Sequence, residues 1–354
     1  MTKHLEFALL GCLLSLWIAP SCSDDSDPIP TATENAQVEP ASGDEIDYPM
    51  DWHRNRNVKE WIDDIEGDDR FKCYKAIVAV GEMEEKGVLA VPAITRCLHD
   101  ENSDGGIKRK AIGALGRIGG KEALASLDGC MQGTDAVLGV LAADAMGAMG
   151  SWAVDMIIPY LSSPKAVVRE RGARALRGVL ATDGTVTQME AAVVPLARAL
   201  SDSNARVREE AFGVLSELGP SAISAAPILI EKLKIEENRE QRKLLMVMIG
   251  MYGTASVEAV PYLRESLNED DKQIQIFAAL ALARVGEVDE GLEPLMALLS
   301  DPDTQIRLTA VDALRRLGPL AIAAVEPLKQ AKKNANDALH LMIEQALKAV
   351  RKQP

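Results

Sequence analysis

Three residues at alternate positions, Asp100, Asn102 and Asp104, and the Gly105 that follows them in "DENSDGGI" have the types and spacing of the first half of a calcium loop. Such a loop closes with a bidentate Glu at its twelfth position, and here that position holds Ala111. The stretch therefore reads as a polar turn between helices. Histidine chemistry is as thinly supplied, because His4, His53, His99 and His340 are far apart in the chain. Cys97 and Cys130 fall at equivalent places in adjacent helices, which pack about 8–10 Å apart, whereas a disulfide needs Cα atoms within about 7 Å. A Cys73–Cys97 bridge stays open. No catalytic residue, metal site or cofactor site is expected.

The elements around these residues are written in multiples. An apolar stripe at i, i+4, i+8 and i+11, closed by Gly, recurs as Ile107-Ala111-Leu115-Ile118-Gly119, Val207-Ala211-Leu215-Leu218-Gly219 and Ile306-Ala310-Leu314-Leu317-Gly318. Nine copies occur, mostly 30 to 34 residues apart, beginning at Asp69, Ile107, Leu138, Val168, Val207, Gln241, Ile274, Ile306 and Leu339. The stripe buries one helix face, and the glycine permits the left-handed cap that ends the helix. Most copies are preceded by a second helical stretch marked by proline: Pro92, Pro159, Pro195, Pro227, Pro261, Pro294 and Pro327. Only 4% of residues are aromatic although 47% are apolar, a composition suited to many closely packed short helices.

"PLARALSDSNARVREEAFGVLSELG" (195–219) and "PLMALLSDPDTQIRLTAVDALRRLG" (294–318) carry a proline in the first helix, Asp in the turn, and Arg just inside the second helix. They resemble the HEAT-repeat family, and the short copies are also similar to the HEAT-like repeats of phycobilisome lyases. The resemblance spans about 58–351 and implies an all-α fold, an α-α superhelix of about nine helix pairs. It implies that Asp202, Arg208, Asp301 and Arg307, with Arg169, form a ladder bracing stacked repeats. Copies one, three and six lack the Asp/Arg signature, and "ATDGTVTQME" (181–190) is expected to loop out where the curvature changes. Deoxyhypusine hydroxylase, an enzyme of similar fold, needs His-Glu pairs, and the sequence has no His-Glu dipeptide.

Second helices of such a stack line its concave side. Counting two, six and nine positions beyond each stripe start gives Glu170, Arg174 and Arg177 in copy four and Glu209 in copy five. In later copies it gives Val247, Ile276, Leu280 and Leu308. This apolar ridge is the expected docking site for a protein partner, unless neighbouring repeats bury it.

The N-terminus adds an address. Lys3 followed by an apolar run from Phe7 to Ile18 has the form of a secretory signal, too short to cross a bilayer of about 30 Å. Cleavage after Ser21 would leave Cys22 first, and "APSC" resembles a bacterial lipobox in which that Cys is lipidated. The expected organisation is a signal peptide (1–21), an acidic disordered tether (22–57) and a HEAT-repeat solenoid (58–354). Residues 23–69 hold fifteen acidic side chains against three basic ones, most of the net charge of −14, so the remainder lacks the basic excess that non-specific nucleic-acid binding requires. The expectation is thus a monomeric, non-catalytic scaffold for a protein partner. It would be exported to the periplasm or outer membrane, or secreted, and would meet a membrane only through a lipid at Cys22. A lyase-type enzyme or accessory protein, and a purely structural envelope protein, are the alternatives.

Overall fold

The computed structural model describes residues 50–51, 56–183, 186–333 and 335–352. Backbone contacts divide the chain at Asn57/Val58. Before that boundary, Met50–Asp51 (β1) pairs antiparallel with Arg56–Asn57 (β2), a small ribbon in a stretch whose sequence carries no strand period. Cys22 and the signal-like segment lie outside the described residues.

From Val58 onward the chain is nine helix pairs. Their first members are α1 (Val58–Glu66), α3 (Val91–His99), α5 (Gly120–Gln132), α7 (Val154–Ile157), α9 (Glu190–Ala199), α11 (Ala226–Leu233), α13 (Val260–Leu267), α15 (Val288–Ala297) and α17 (Val325–Lys332). The second members are α2 (Arg70–Glu82), α4 (Gly105–Ile118), α6 (Ala136–Ala148), α8 (Ala166–Asp183), α10 (Ala205–Leu218), α12 (Arg239–Met251), α14 (Lys272–Val285), α16 (Thr304–Leu317) and α18 (Asp337–Val350).

Each pair is written locally. Asp69, Asp104, Asp135, Asn204, Asn238, Asp271, Asp303 and Asn336 cap the second helices, their side-chain oxygens accepting backbone N–H groups of the first turn. Asp104 of the calcium-like stretch is spent this way on the Gly106 N–H, and Asp100 accepts from the Asn102 N–H. Gly219 and Gly318 close α10 and α16 with φ of 53° and 54°, a conformation that would strain any other residue. Pro92, Pro227 and Pro261 sit in the first turn of their helices, where no N–H is missed, whereas Pro195 and Pro294 lie inside α9 and α15.

Consecutive second helices approach closely, α2 to α4, α4 to α6, α6 to α8 and α8 to α10, and again from α12 through α18. Small residues permit this. Gly147 of α6 and Gly178 of α8 meet so tightly that a Cβ on Gly147 would stand 2.7 Å from the Gly178 Cα. A Cβ on Gly116 would stand 2.9 Å from that of Ala145. The exception is α10 against α12, which make no such backbone approach. The cause is one column of the repeat: seven positions after each stripe start stand Ala76, Ala114, Ala145, Ala175, Ala281, Ala313 and Ala346, but Val214 in copy five and Met248 in copy six. Met248 is fully buried and, as a long flexible side chain, fills the wider gap. The spacing of the second helices therefore changes between repeats five and six, one repeat beyond the insertion. Much of the insertion at 181–190 instead prolongs α8 to Asp183 and forms a 3-10 turn at Val186–Met189.

Candidate partner-binding face

The turns between paired helices carry a polar ladder. The Arg169 guanidinium donates to both carboxylate oxygens of Asp202 in the next repeat, at 2.5 and 2.8 Å, and its Nη1 donates to the Ser163 carbonyl at 2.8 Å. Asp202 also accepts from the Asn204 N–H, and the guanidinium beside it holds its carboxyl below the usual carboxylate range. Arg208 and Arg307 donate to carbonyls of their own turns, at Asp202 and Asp301, 2.7 and 2.5 Å away. Lys272 reaches Asp301 from the preceding repeat at 2.5 Å. Arg242 in copy six, which lacks the sequence signature, grips Glu269 through both terminal nitrogens and Ser266 through Nη2. The ladder thus accepts Arg-Glu for Arg-Asp, a substitution outside the motif.

Copy three is braced differently. Arg171, only 2% exposed, extends from α8 under α6 and donates to the carbonyls of Met131 (2.7 Å), Gly133 (2.8 Å), Cys130 (3.3 Å) and Asp135 (2.9 Å). These are the carbonyls at and just beyond the end of α5, where a helix leaves acceptors without intrahelical partners. Gly139 makes room, since a Cβ there would fall 1.9 Å from the Arg171 Cζ.

The ridge expected at Val247, Ile276 and Leu280 is core. Their exposures are 6%, 1% and 3%, and Ile276 and Leu280 join the cluster that α14, α15 and α16 build together. Leu308 is half-buried and packs against the same cluster. The physical reason is that α14 is enclosed by α12, α13, α15 and α16, so one stripe does not exhaust its buried surface. The polar candidates lie on the open side. Arg174 donates to both carboxylate oxygens of Asp144 at 2.6 and 3.1 Å, Arg177 reaches Glu210 and Glu217, and Glu170 faces Arg206 at 3.6 Å, while Glu209 is exposed. These charges are matched across repeats three to five.

The same counting rule applied to the first three copies finds the surface that the later copies lack. It gives Phe71, Lys75 and Val78, then Arg109, Gly113 and Gly116, then Val140 and Asp144. Phe71 is 67% exposed and Tyr74 is 36% exposed, with the Lys75 Nζ 4.3 Å from the Phe71 ring centroid and the Lys110 Nζ 5.7 Å from that of Tyr74. On α6 and α8, Val137 and Val167 are 59% and 42% exposed, and Val140 and Leu141 are half-buried beside them. Among the described residues no group of His, Cys, Asp and Glu is arranged to hold a metal ion. Cys73, Cys97 and Cys130 are free thiols; Cys73 and Cys97 face each other with Sγ atoms 3.9 Å apart. Their hydrogen bond lowers the Cys97 thiol to about 7 and raises that of Cys73.

Nine stacked helix pairs with capped turns and a cross-repeat polar ladder define a helical-repeat solenoid. More particularly, residues 226–315 and 260–348, in the C-terminal repeats, match the family profile described as HEAT repeats. A crystal structure of importin beta in an ammonium sulfate condition superposes with a TM-score of 0.54 at 14% identity, covering 84% of this chain and 45% of that one. An engineered protein aligns over 84% of this chain and 89% of its own at 20% identity, with a TM-score of 0.44. The chain spans less than half of the importin beta chain, and at this identity the likeness is one of fold. No curated protein matches the sequence.

Proposed function

We propose that the protein is a non-catalytic interaction scaffold that seats a protein partner on the second-helix face of repeats one to four. One observation carries the reading: the band formed by Val137, Val140, Leu141 and Val167 stays open to solvent among charged neighbours, on helices whose other faces are packed. Apolar side chains gathered on a concave repeat surface are the usual material of a binding site. The signal-like N-terminus and Cys22 support export and attachment through a lipid, which would present the array in the cell envelope.

The test changes Val137 and Val167 to Glu, and in a control changes Val257 and Ile322, which are 56% and 60% exposed on connectors elsewhere. With all three proteins folded by circular dichroism, saturable capture of one partner should be lost only in the first variant. Equal capture by all three would remove the reading. Labelling with a fatty-acid analogue, abolished by Cys22→Ala, tests the anchor.

A further inference from the structure

The open face is not uniform in charge. Helices α2 and α4 carry Arg70, Lys72, Lys75, Lys108, Arg109, Lys110 and Arg117, against the single acidic residue Glu82. None of Lys75, Arg109, Lys110 or Arg117 forms an ion pair among the described residues, although Arg117 Nε donates to the Gly81 carbonyl, whereas Arg174 and Arg177 of repeat four are each matched by carboxylates. Two aromatic rings, Phe71 and Tyr74, lie among these cations. The floor beside them is glycine. A Cβ at Gly113 would meet nothing nearer than the Arg117 Nη1 at 3.9 Å, so the α4 backbone is uncovered there and another backbone could lie against it. The exposed valines follow on α6 and α8, in the next two repeats.

Resting on the scaffold reading, we infer that repeats one to three bind an acidic protein segment bearing aromatic or aliphatic side chains, its carboxylates on Lys75, Arg109, Lys110 and Arg117 and its apolar side chains on Phe71, Tyr74 and Val137. Charge complementarity names the acidic character, and the rings and valines name the apolar part. A nucleic-acid backbone would use the cations and leave Val137 and Val167 without a role. Because the cations are exposed, the binding is steered by charge and weakens as the screening length falls from about 10 Å at 0.1 M salt to about 3 Å at 1 M.

The experiment selects binders from a random dodecapeptide display library on the full-length chain and, in parallel, on the Lys75→Glu/Lys110→Glu variant. The wild-type selection should enrich peptides of net negative charge that contain Phe, Tyr, Trp or Leu. The best should bind about tenfold or more weaker to the variant, a loss of about 1.4 kcal/mol. They should also bind more weakly to Gly113→Trp, which covers the open α4 backbone and whose Cβ meets no packed atom. Both variants carry changes only at the open face, and circular dichroism verifies their fold. Neutral or basic enriched peptides would overturn the acidic class while leaving the scaffold reading intact. Acidic peptides indifferent to both variants would overturn the site. A single-stranded DNA 20-mer that binds more tightly than any selected peptide would overturn the protein ligand, and no enrichment together with no saturable partner would overturn both readings.

Discussion

Replacing Arg171 by Ala is the most demanding perturbation the fold offers. The guanidinium is buried and donates to carbonyls at the end of α5 and in the turn beyond it; the Asp135 carbonyl keeps the Gly139 N–H, so loss of Arg171 strands the Cys130, Met131 and Gly133 carbonyls and opens a cavity. Hydrogen bonds from a charged donor contribute about 1.5–3 kcal/mol each, but not additively. Each buried acceptor left without a partner costs about 1–3 kcal/mol, so a total of about 3–5 kcal/mol is the expected destabilisation. The assay is urea unfolding followed by circular dichroism, run as a double-mutant cycle with Gly139→Ala. Alone, Gly139→Ala forces a methyl into the space 1.9 Å from Cζ and should cost about 1–3 kcal/mol by overpacking. In the Arg171→Ala background the methyl enters vacated space, and its cost should fall to near zero. An unchanged cost in both backgrounds would refute the packing of α8 under α6, and a cost below about 1 kcal/mol for Arg171→Ala would refute the capping role.

Further outcomes follow from the same contacts. Ile276→Ser and Leu280→Ser should each lower the unfolding midpoint steeply, since both are core, whereas Val137→Ser should leave it within about 0.5 kcal/mol of wild type. Met248→Ala should destabilise by about 2–5 kcal/mol although Ala occupies that column in seven other repeats, because the α10–α12 gap is set by the longer side chain. The Asp202 carboxyl is depressed in the fold, so its stabilisation is present above the unfolded value of about 3.9 and is lost as pH falls through the folded one. Asp202→Asn should therefore be less stable than wild type at neutral pH and should flatten the acid limb of the stability profile. Cys97 should alkylate with a midpoint near pH 7 while Cys73 resists, and Cys73→Ala should return Cys97 toward about 8.5. Equal reactivity of the two thiols would contradict their hydrogen bond.

The repeat was legible because each copy restates the same stripe, cap and glycine, so Ile107, Val207 and Ile306 announce equivalent helices without any long-range information. Burial of a second face was legible as an alternative, but not which copies it would take. Ile276 and Leu280 stand in register with Glu209 and Gly213, and only the enclosure of α14 by four neighbours distinguishes them. The rule that selected them also selects Phe71, Lys75 and Arg109 when carried back to the first copies, where exposure is retained. Arg171 was invisible for another reason. Its acceptors are backbone carbonyls 36 to 41 residues away, which no side-chain pattern records. The change of spacing after α10 did have a signal, Met248 in a column of alanines, while the eye goes first to the insertion at 181–190.

The most direct test of the scaffold account is a photo-crosslinking scan of the full chain in envelope extract, with benzoylphenylalanine placed singly at Phe71, Val137, Val167, Val257 and Ile322. The account predicts one saturable adduct from the first three positions, identical in mass, and none from the last two. Adducts confined to Val257 and Ile322, or none that saturates at any position, would contradict it.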